Sequence, residues 1–342
     1  MLKSLSLYLV MVLLFPALFS GCSNGLDSPQ NKRQGTITVT DFRAKQLNFV
    51  KPPVRIVCLI ESALSGLYML GAEDKVVGIS TSVYDENVAE QYALLDDRIK
   101  TRTLRSPGNW DFVNIESLVA LQPDLVIIWS SQEESIKAIE SKGIPVYAVM
   151  LKSTADVYKE LNDFGRLTCT ELRADSLIQY TKKETAGFAE KHHGDEGVKK
   201  KIFFMWPQGP LETSGKHSMA DELITMAGAR NVCDSQDEHL VVNIENIIEW
   251  NPDVIVMWYN ANKNPEDIIR LPEWGNIRAV KAKMVFELPT AFCCDLWTLK
   301  FQYAVKILNE WCYPDEYVNF DPLSEQQQML VKLYGKKGGL LN

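Results

Sequence analysis

The chain has 342 residues, 46% of them hydrophobic and 23% charged, with a formal net charge of −8. This length is enough for about two domains with substantial hydrophobic cores, and an aromatic fraction of 10% argues against a disordered protein. The excess of acidic residues argues against a protein whose purpose is to bind nucleic acid.

Residues 1–21 are predicted to be a signal peptide. A single early cation, Lys3, precedes the apolar run Leu5–Phe19, and a helix of about 15 residues is too short to cross a hydrocarbon core about 30 Å thick. The run ends in the letters LFSGC, which resemble a bacterial lipobox. We therefore expect Cys22 to be the lipidated first residue of the mature protein; the alternative is an ordinary signal peptide in which Cys22 is incidental.

Residues 22–35 are predicted to form a flexible tether. They are polar, rich in turn-forming residues and without periodicity. No later stretch of the sequence is long and apolar enough to span a bilayer. We therefore expect a protein held by a palmitate-bearing lipid anchor on the extracytoplasmic side of the cell membrane.

Six further cysteines follow Cys22. An exported protein can form disulfides, but the spacing of these cysteines does not assign pairs, and small buried or partly exposed thiols are favoured. The four histidines lack the HExxH spacing, so we expect no zinc site.

Seven short apolar runs alternate with helical patterns along the rest of the chain, which is the signature of β–α units and parallel sheets. Most of the runs are rich in β-branched residues and do not alternate with polar ones, as expected for strands covered on both faces. The predicted strands are Arg55–Ile60, Lys75–Ile79, Asp124–Trp129, Pro145–Val149, Lys201–Trp206, Asp253–Trp258 and Lys283–Leu288.

One sequence motif occurs twice in the chain. The segments Asn114–Trp129 and Asn243–Trp258 align without a gap at a constant offset of 129 residues, and their Asn, Ile, Glu, Pro, Asp and Trp coincide. Each copy predicts a short helix that is ended by proline and followed by a buried strand. The repeat indicates two similar α/β lobes.

The segment between the repeats, residues 153–191, has a helical pattern without proline. We predict that Glu171–Lys191 forms one long helix that joins the lobes and limits hinge motion. The predicted order begins with a signal peptide (1–21), a lipidated tether (22–35) and an N-terminal α/β lobe (36–170). A linker helix (171–193), a C-terminal α/β lobe (194–313) and a tail packing on the body (314–342) follow.

These motifs together resemble the helical-backbone substrate-binding lipoproteins of bacterial ABC importers, those serving iron–siderophores, haem and vitamin B12. The resemblance covers residues 50–320 and is carried by RIVCLIESALSGLYMLGAEDKVVGIS, NIESLVALQPDLVIIW, ESKGIPVYAV, TSGKHSMADELITMAGARNV, NIENIIEWNPDVIVMW and LKFQYAVKILNEWCYPDEY. It implies two Rossmann-like lobes with parallel-type sheets, joined by one long α-helix, with a ligand cleft between them. It also implies a receptor that has no catalytic activity and no cofactor of its own.

Aromatic residues follow several predicted strands at their carboxyl ends, where α/β sheets bind ligands. We predict ligand contacts from Trp110, Trp206, Trp297, Tyr84 and Tyr259, because flat rings stack on large, partly planar ligands. Trp110 is the strongest candidate, since it lies six residues before Glu116, where members of the resembled family present a cleft aromatic. Trp129 and Trp258 are expected to lie mostly in the core.

The first lobe carries an insertion that we expect at the cleft rim. Gly71 to Asn114 spans 43 positions, whereas the counterpart from Gly228 to Asn243 spans 15. The insertion contains Arg98, Lys100, Arg102 and Arg105, and guanidinium groups suit anionic chelates. We predict that Arg105 contacts the ligand; the alternative is a solvated basic loop.

Glu116 and Glu245 occupy the same position in the two copies of the repeat, in the first turn of a short helix that Asn114 and Asn243 can cap. The helix dipole favours a carboxylate there, which is the simpler explanation of each residue. In the resembled family these positions carry surface glutamates that pair with arginines of the two permease subunits. We expect both residues to be exposed on the cleft side and to dock the permease.

The expected function is the capture of a metal chelate, a ferric siderophore being favoured, and its delivery to a permease with a cytoplasmic ATPase. A corrinoid or haem is the alternative ligand, and Tyr84 or Tyr259 could be the axial ligand of haem. The sequence has no GxSxG, GxGxxG or HExxH motif, which argues against an enzyme. A chelatase-like enzyme and a structural surface lipoprotein remain the other classes.

Overall fold

The computed structural model describes residues 36–191, 199–259 and 263–341, with the side chains of Glu86 and Asn87 outside the description. The predicted signal peptide, the lipidation site at Cys22 and the tether lie outside the described residues. Within the described ranges, no helix is both long and apolar enough to cross a membrane.

The chain begins with an antiparallel hairpin and continues into a first α/β lobe, the N-lobe. The hairpin strands are β1 (Ile37–Thr40) and β2 (Gln46–Phe49). The N-lobe contains the strands β3 (Ile56–Cys58), β4 (Val76–Ser80), β5 (Arg105–Gly108), β6 (Leu125–Trp129) and β7 (Val146–Val149), and the helices α1 (Glu61–Met69), α2 (Glu86–Leu95), α3 (Asp97–Lys100), α4 (Ile115–Ala120) and α5 (Glu133–Glu140). Its strands form a parallel sheet in the order β5-β4-β3-β6-β7.

Three helices follow the N-lobe: α6 (Thr154–Thr168), α7 (Glu171–Thr185) and α8 (Phe188–Lys191). The prediction of one helix over Glu171–Lys191 is therefore wrong at its carboxyl end. Gly187 has a φ of 87°, a left-handed conformation through which an α-helix does not continue.

The second lobe, the C-lobe, has a parallel sheet in the order β10-β8-β12-β13 and a small antiparallel pair of β9 with β11. Its strands are β8 (Lys201–Met205), β9 (Glu212–Thr213), β10 (Arg230–Asn231), β11 (Leu240–Val241), β12 (Val254–Met257) and β13 (Val285–Glu287). Its helices are α9 (Met219–Met226), α10 (Ile244–Trp250), α11 (Pro265–Ile269) and α12 (Arg278–Lys281), followed by α13 (Phe301–Cys312) and α14 (Pro322–Tyr334).

The C-terminal helix α14 returns to the N-lobe. The hydroxyl groups of Tyr334 and Ser65 on α1 lie 2.5 Å apart. The guanidinium of Arg173 on α7 donates to the carbonyl oxygens of Lys332 and Leu333, at 2.9 Å each. These contacts tie the end of the chain to helices that precede the C-lobe.

The seven predicted strands are all present, as β3, β4, β6, β7, β8, β12 and β13, and they belong to two parallel sheets as predicted. The sheet orders make β3, β4, β6 and β7 equivalent to β8, β10, β12 and β13. The N-lobe insertion adds β5 at the edge of its sheet and the helix α2, whose Tyr92 is fully buried. The expectation that the insertion lies at the cleft rim is therefore correct only in part.

The repeated aspartate has the same structural role in both lobes. Asp124 accepts hydrogen bonds from the backbone N–H groups of Val54 and Arg55, at 2.8 and 2.9 Å. Asp253 accepts one from the N–H of Lys201 at 2.9 Å. Each carboxylate therefore holds the start of a neighbouring strand beside the start of its own.

The hydrophobic core is continuous through both lobes. One cluster of buried side chains runs from Val39 to Leu341 and includes one face of each sheet together with α1, α6, α7, α13 and α14. Two smaller clusters cover the opposite faces: Leu118 on α4 belongs to the N-lobe cluster, and Trp274 to the C-lobe cluster. Both sheets are thus covered on two sides, as their continuous apolar runs predicted.

Candidate functional site

A pocket of about 200 Å³ lies where residues beyond the carboxyl ends of the two parallel sheets come together. This is the edge at which parallel α/β sheets bind ligands. The N-lobe contributes Leu59, Ile60, Glu61, Ser62, Ser80, Ser82, Trp110 and Trp129, and the C-lobe contributes Trp258, Ala291, Asp295 and Trp297.

A larger pocket, of about 430 Å³, lies at the opposite edge of the C-lobe sheet. Its lining includes Lys200, Asp253 and Arg278, at the amino ends of β8 and β12. Because the loops at that edge connect helices back to strands and do not form the binding crevice of such sheets, we place the candidate site in the cleft.

The C-lobe wall of the cleft is a group of packed aromatic rings. The ring centroids of Trp258 and Trp297 lie 6.0 Å apart, edge to face. Behind them, Trp206 stacks on Trp297 at 6.1 Å with an interplanar angle of 13°, and His239 also stacks on Trp206, at 5.8 Å. Stacking of this kind adds to the burial of the rings and restricts their orientation.

The structure places Trp206 behind the pocket and not on it. Its indole N–H donates to the hydroxyl of Ser214 at 2.8 Å, and it is not among the described residues that line the pocket. We infer that Trp206 positions Trp297, which does line the pocket. Contact between Trp206 and a ligand stays a prediction.

The N-lobe wall presents Trp110 on a short, ordered loop. The side-chain oxygen of Asn109 accepts the backbone N–H groups of Asp111 and Phe112 at 2.9 and 3.0 Å, which fixes the turn. Trp110 is 67% exposed at this position, so its ring is available to a ligand entering the cleft. Beside it, Trp129 is the last residue of β6.

The expectation that Trp129 and Trp258 lie mostly in the core is met only in part, because both pack against the main core cluster and also line the pocket. Both side chains are only partly buried. Trp129 is the last residue of β6, and Trp258 directly follows the last residue of β12. Four indole rings, two from each lobe, therefore face the cleft.

Two carboxylates line the pocket between the indole rings. Glu61 is the first residue of α1, and its Oε1 accepts a hydrogen bond from the hydroxyl of Tyr92. Asp295 is 6% exposed and accepts the backbone N–H of Trp297 at 2.9 Å. Burial raises the pKa of Asp295 to about 6, and the ammonium of Lys300 opposes this shift.

Further ionisable groups lie behind the pocket. Lys300 is fully buried, with its Nζ 4.3 Å from the centroid of the Phe292 ring, a cation–π distance. Burial, and to a lesser degree the charge of Asp295, raises the pKa of Glu160 to about 8. Glu160 is therefore mostly protonated at neutral pH.

The basic residues of the insertion do not face the pocket. Arg98 donates to Asp96 at 2.7 Å and to the carbonyl oxygen of Val76 at 2.9 Å, which is a structural role. Arg105 is the first residue of β5 and is not among the described residues that line the pocket, so its contact with a ligand stays a prediction. No lysine or arginine is among the described residues lining the pocket.

The two predicted tyrosines also lie off the pocket lining. The hydroxyl of Tyr84 donates to the carbonyl oxygen of Leu104 at 2.8 Å, and the guanidinium of Arg102 lies over its ring. Tyr259 follows Trp258 and is partly exposed. Contact of Tyr84 or Tyr259 with a ligand stays a prediction.

Glu116 and Glu245 are exposed in the first turns of α4 and α10. The predicted caps are present: Asn114 accepts the N–H of Ser117, and Asn243 accepts that of Asn246, at 2.8 Å each. Both helices end just before the amino ends of β6 and β12, so their first turns point toward the carboxyl edge of the sheets, which is the cleft side. The two copies of the repeat therefore place one exposed carboxylate at the same position of each lobe.

Metal-binding side chains are not clustered in the described part of the chain. No group of three or more His, Cys, Asp or Glu residues that could hold a metal ion occurs there. The six described cysteines are free thiols, and burial raises the pKa of those at positions 58, 294 and 312.

Sequence reasoning missed the two pocket carboxylates. Glu61 directly follows a predicted strand, so the carboxyl-end rule that selected the tryptophans applied to it equally. Asp295 lies in an irregular segment before α13, where no periodicity indicates which side chains turn inward.

The comparisons with known proteins agree with this architecture. A model of a periplasmic binding protein family matches residues 56–291. The chain is 27% identical over 322 residues to the uncharacterized ABC transporter substrate-binding lipoprotein YvrC of Bacillus subtilis, covering 90% of the chain and 96% of that protein. It is 28% identical over 185 residues to the vitamin B12-binding protein of Salmonella typhi, covering 52% and 66% of the two proteins.

A third relative provides a solved structure. The chain is 27% identical over 313 residues to the molybdate-binding protein MolA of Haemophilus influenzae, covering 83% of the chain and 86% of that protein. The crystal structure of MolA bound to molybdate aligns with a TM-score of 0.71 and 23% identity, over 88% of this chain and 97% of that one. This likeness shows that the two chains share a fold.

Proposed function

The chain belongs to the periplasmic binding protein family, and from this premise we propose that it is the extracytoplasmic receptor of an ABC importer and captures a metal chelate. The coarse part of this proposal, a substrate-binding protein of an importer, is supported by relatives such as YvrC, which bears that description. The name of that relative also includes the word lipoprotein, which supports a lipid anchor at Cys22.

The ligand that the pocket suits best is a corrinoid. The observation that carries this proposal is the lining itself: four indole rings with Glu61 and Asp295, and neither lysine nor arginine among the described lining residues. Aromatic faces suit a flat, neutral or cationic chelate, whereas an anionic ferric siderophore would meet two carboxylates without a compensating cation at the lining. The sequence favoured the siderophore because of basic residues that do not reach the pocket.

The size of the pocket bears on how such a ligand would sit. The pocket is open to solvent and holds about 200 Å³, whereas pockets for drug-sized ligands typically hold roughly 300–1,000 Å³. A corrin ring would therefore place one edge in the pocket and extend over the rim, where Trp110 is exposed. The vitamin B12-binding relatives support this choice among the chelates.

Molybdate is the competing ligand, because MolA is similar over most of the chain. Oxyanions are held by backbone N–H groups, lysine or arginine. The pocket offers the backbone N–H groups at the start of α1 and the hydroxyl groups of three serines, but two carboxylates line the same small pocket. The serines are Ser62, Ser80 and Ser82, and the carboxylates are those of Glu61 and Asp295. The electrostatics of the lining therefore disfavour an oxyanion.

The test is a titration of the purified protein, followed by isothermal calorimetry, with cyanocobalamin, haemin, ferric enterobactin and sodium molybdate as probes. We expect cyanocobalamin to bind with a dissociation constant of about 1 μM or lower and molybdate not to bind. Tight binding of ferric enterobactin or molybdate without cyanocobalamin binding would replace the proposed ligand. A protein that binds none of the four and converts one of them to a product would not be a receptor.

Glu116 and Glu245 are proposed to dock the permease, one carboxylate on each lobe. Their exposure, their matched positions in the two lobes and their placement on the cleft side support this role. A pair of like lobes suits a permease built from two like subunits.

A further inference from the structure

The repeat extends further toward the N-terminus than the Asn-Ile-Glu motif. At the same offset of 129 residues, Phe112 is equivalent to Val241 and Trp110 to His239. Phe112 is 65% exposed and Val241 is 67% exposed. Single exposed apolar residues are common on protein surfaces, but two at equivalent positions, each four residues before an exposed glutamate, form a pattern.

A second apolar residue accompanies each glutamate. Val119 lies three residues after Glu116 on α4, and Ile248 lies three residues after Glu245 on α10. Residues three apart on a helix share a face. Ile248 is 42% exposed, and Val119 is partly exposed. Each lobe thus presents a carboxylate with an apolar side chain before it and another behind it in the sequence.

The N-lobe set is held on a rigid turn. The N–H of Asn109 donates to the carbonyl oxygen of Phe112 at 2.8 Å, and the side chain of Asn109 accepts the N–H of Phe112. A Cβ atom at Gly108 would lie 2.2 Å from that carbonyl oxygen, so the turn depends on glycine there. The backbone of Phe112 is therefore fixed although its side chain is exposed.

The C-lobe set is held by a strand pair. Val241 belongs to β11, where it pairs with Glu212 of β9. The next residue, Val242, donates its N–H to the carbonyl oxygen of Leu211 at 2.9 Å. Two different local structures, a turn and a strand, thus place an exposed apolar side chain at the same position ahead of the helix.

We infer that each lobe carries a composite docking patch for one subunit of the permease, in which apolar contacts accompany the ion pair. The N-lobe patch is Phe112, Glu116 and Val119, and the C-lobe patch is Val241, Glu245 and Ile248. This inference rests on the proposed function. The partner it requires is a membrane protein with two like subunits, each offering a basic side chain beside an apolar recess.

Two physical arguments favour a permease with two like subunits as the partner over a single unrelated protein. The same order of chemistry in both lobes matches a partner that presents the same surface twice. An ion pair exposed to solvent contributes little to binding by itself, whereas apolar side chains that become buried around it contribute affinity and exclude water from it. Because phenylalanine is larger than valine, the N-lobe patch should contribute more.

The first experiment is photo-crosslinking in native membranes. The photoreactive residue p-benzoylphenylalanine is placed at position 112 or 241, and at the control positions 172 and 318, where Leu172 and Val318 are 87% and 84% exposed. We expect positions 112 and 241 to crosslink to the same polytopic permease polypeptide and the controls not to. Crosslinks from 112 and 241 to two unrelated proteins would overturn the inference.

The second experiment measures affinity for that permease complex, reconstituted in nanodiscs. The double variant Phe112→Ser with Val241→Ser should bind about 10- to 100-fold more weakly than wild type, with unchanged cyanocobalamin affinity and melting temperature. The control variant Leu172→Ser with Val318→Ser should bind like wild type. If wild type binds and the Phe112/Val241 variant binds within about twofold of it, the composite patch is wrong; if wild type itself does not bind, the proposed function fails and the inference with it.

Discussion

The hydroxyl of Tyr92, a residue of the N-lobe insertion, donates a 2.7 Å hydrogen bond to Oε1 of Glu61. Tyr92 is fully buried and packs edge to face against Tyr68 and Phe292. The insertion therefore supports the pocket from beneath, in addition to carrying Trp110 at its rim, and it fixes the direction of a carboxylate that faces the ligand.

Removal of that hydroxyl tests this support. Tyr92→Phe keeps the packed ring and leaves Glu61 without its buried partner, so we expect the free energy of unfolding to fall by about 1–3 kcal/mol and cyanocobalamin to bind several-fold more weakly. Urea denaturation and calorimetry measure the two effects. The matched control is Tyr147→Phe, whose buried hydroxyl donates a 2.7 Å hydrogen bond to the carboxylate of Asp163 and which does not line the pocket. An equal loss of ligand affinity in both variants would contradict the role of Tyr92.

Trp110 should contribute directly to ligand binding. Trp110→Ala is expected to weaken cyanocobalamin binding by about 1–3 kcal/mol, because an exposed ring that stacks on a ligand acts as an interfacial anchor. The melting temperature should hardly change, since the ring is 67% exposed. Phe112→Ala, two residues away and off the pocket lining, is the control and should bind the ligand normally. A Trp110→Ala protein with normal affinity would assign the residue another role.

Substitution of the docking glutamates should abolish transport without changing ligand binding. We expect the double variant Glu116→Ala with Glu245→Ala to bind cyanocobalamin like wild type and to lose transport and ATPase stimulation in a reconstituted importer. Each carboxylate is exposed and outside the pocket, so ligand affinity has no reason to change. A suitable control is Glu133→Ala with Glu266→Ala, exposed glutamates in the first turns of α5 and α11. Full transport by the docking variant would remove these residues from the interface.

Glu160 should make the protein less stable as the pH rises. Its pKa is about 8 in the folded protein against 4.5 as the ordinary value, so the folded state holds this proton more tightly than the unfolded state. The contribution of Glu160 to the free energy of unfolding is therefore zero below about pH 4.5. It becomes increasingly unfavourable between about pH 4.5 and 8, and it reaches its full cost, on the order of 5 kcal/mol, above pH 8.

The variant that isolates this effect is Glu160→Gln, which resembles the protonated form. Its melting temperature should match that of wild type near pH 4.5 and exceed it by a growing margin up to about pH 8. The exposed control Glu249→Gln should differ from wild type by a small, constant amount. A difference for Glu160→Gln that does not depend on pH would contradict the shifted pKa.

Lobe closure on ligand binding should be small. The continuous core passes through α6, α7, α13 and α14 between the lobes, and a large rotation would pull these packed helices apart. We expect small-angle scattering curves with and without cyanocobalamin to differ by no more than a rotation of a few degrees. A change in the curves that requires a large domain rotation would show that the helices slide past one another.

The features that the sequence predicted well are those with strong local patterns. The continuous apolar runs located seven strands, and the duplicated motif located the two lobes with their capping residues Asn114 and Asn243. These features depend on side-chain periodicity and on the chemistry of the helix start, which are local. The strand β5 was missed because it contains Pro107 and Gly108, which are uncommon in strand interiors.

The features that the sequence did not predict depend on the arrangement of elements. Arg105 was predicted to contact the ligand without knowledge of β5, the strand that it begins at the edge of the N-lobe sheet. The access of Trp129 and Trp258 to the pocket depends on how the two lobes pack at the ends of β6 and β12, and the position of Asp295 depends on an irregular segment. Such positions are set by tertiary packing, and no periodicity in the sequence reports them.

The core that joins the lobes also bears on how the protein folds. It contains Val39 near the start of the described chain and Leu341 at its end, so its native packing is complete only when the whole chain is available. A fragment that stops before α14 would leave apolar surface of α1 uncovered and Ser65 without Tyr334. The two lobes, although similar in topology, therefore form a single cooperative unit, and neither half is expected to fold stably when it is made alone.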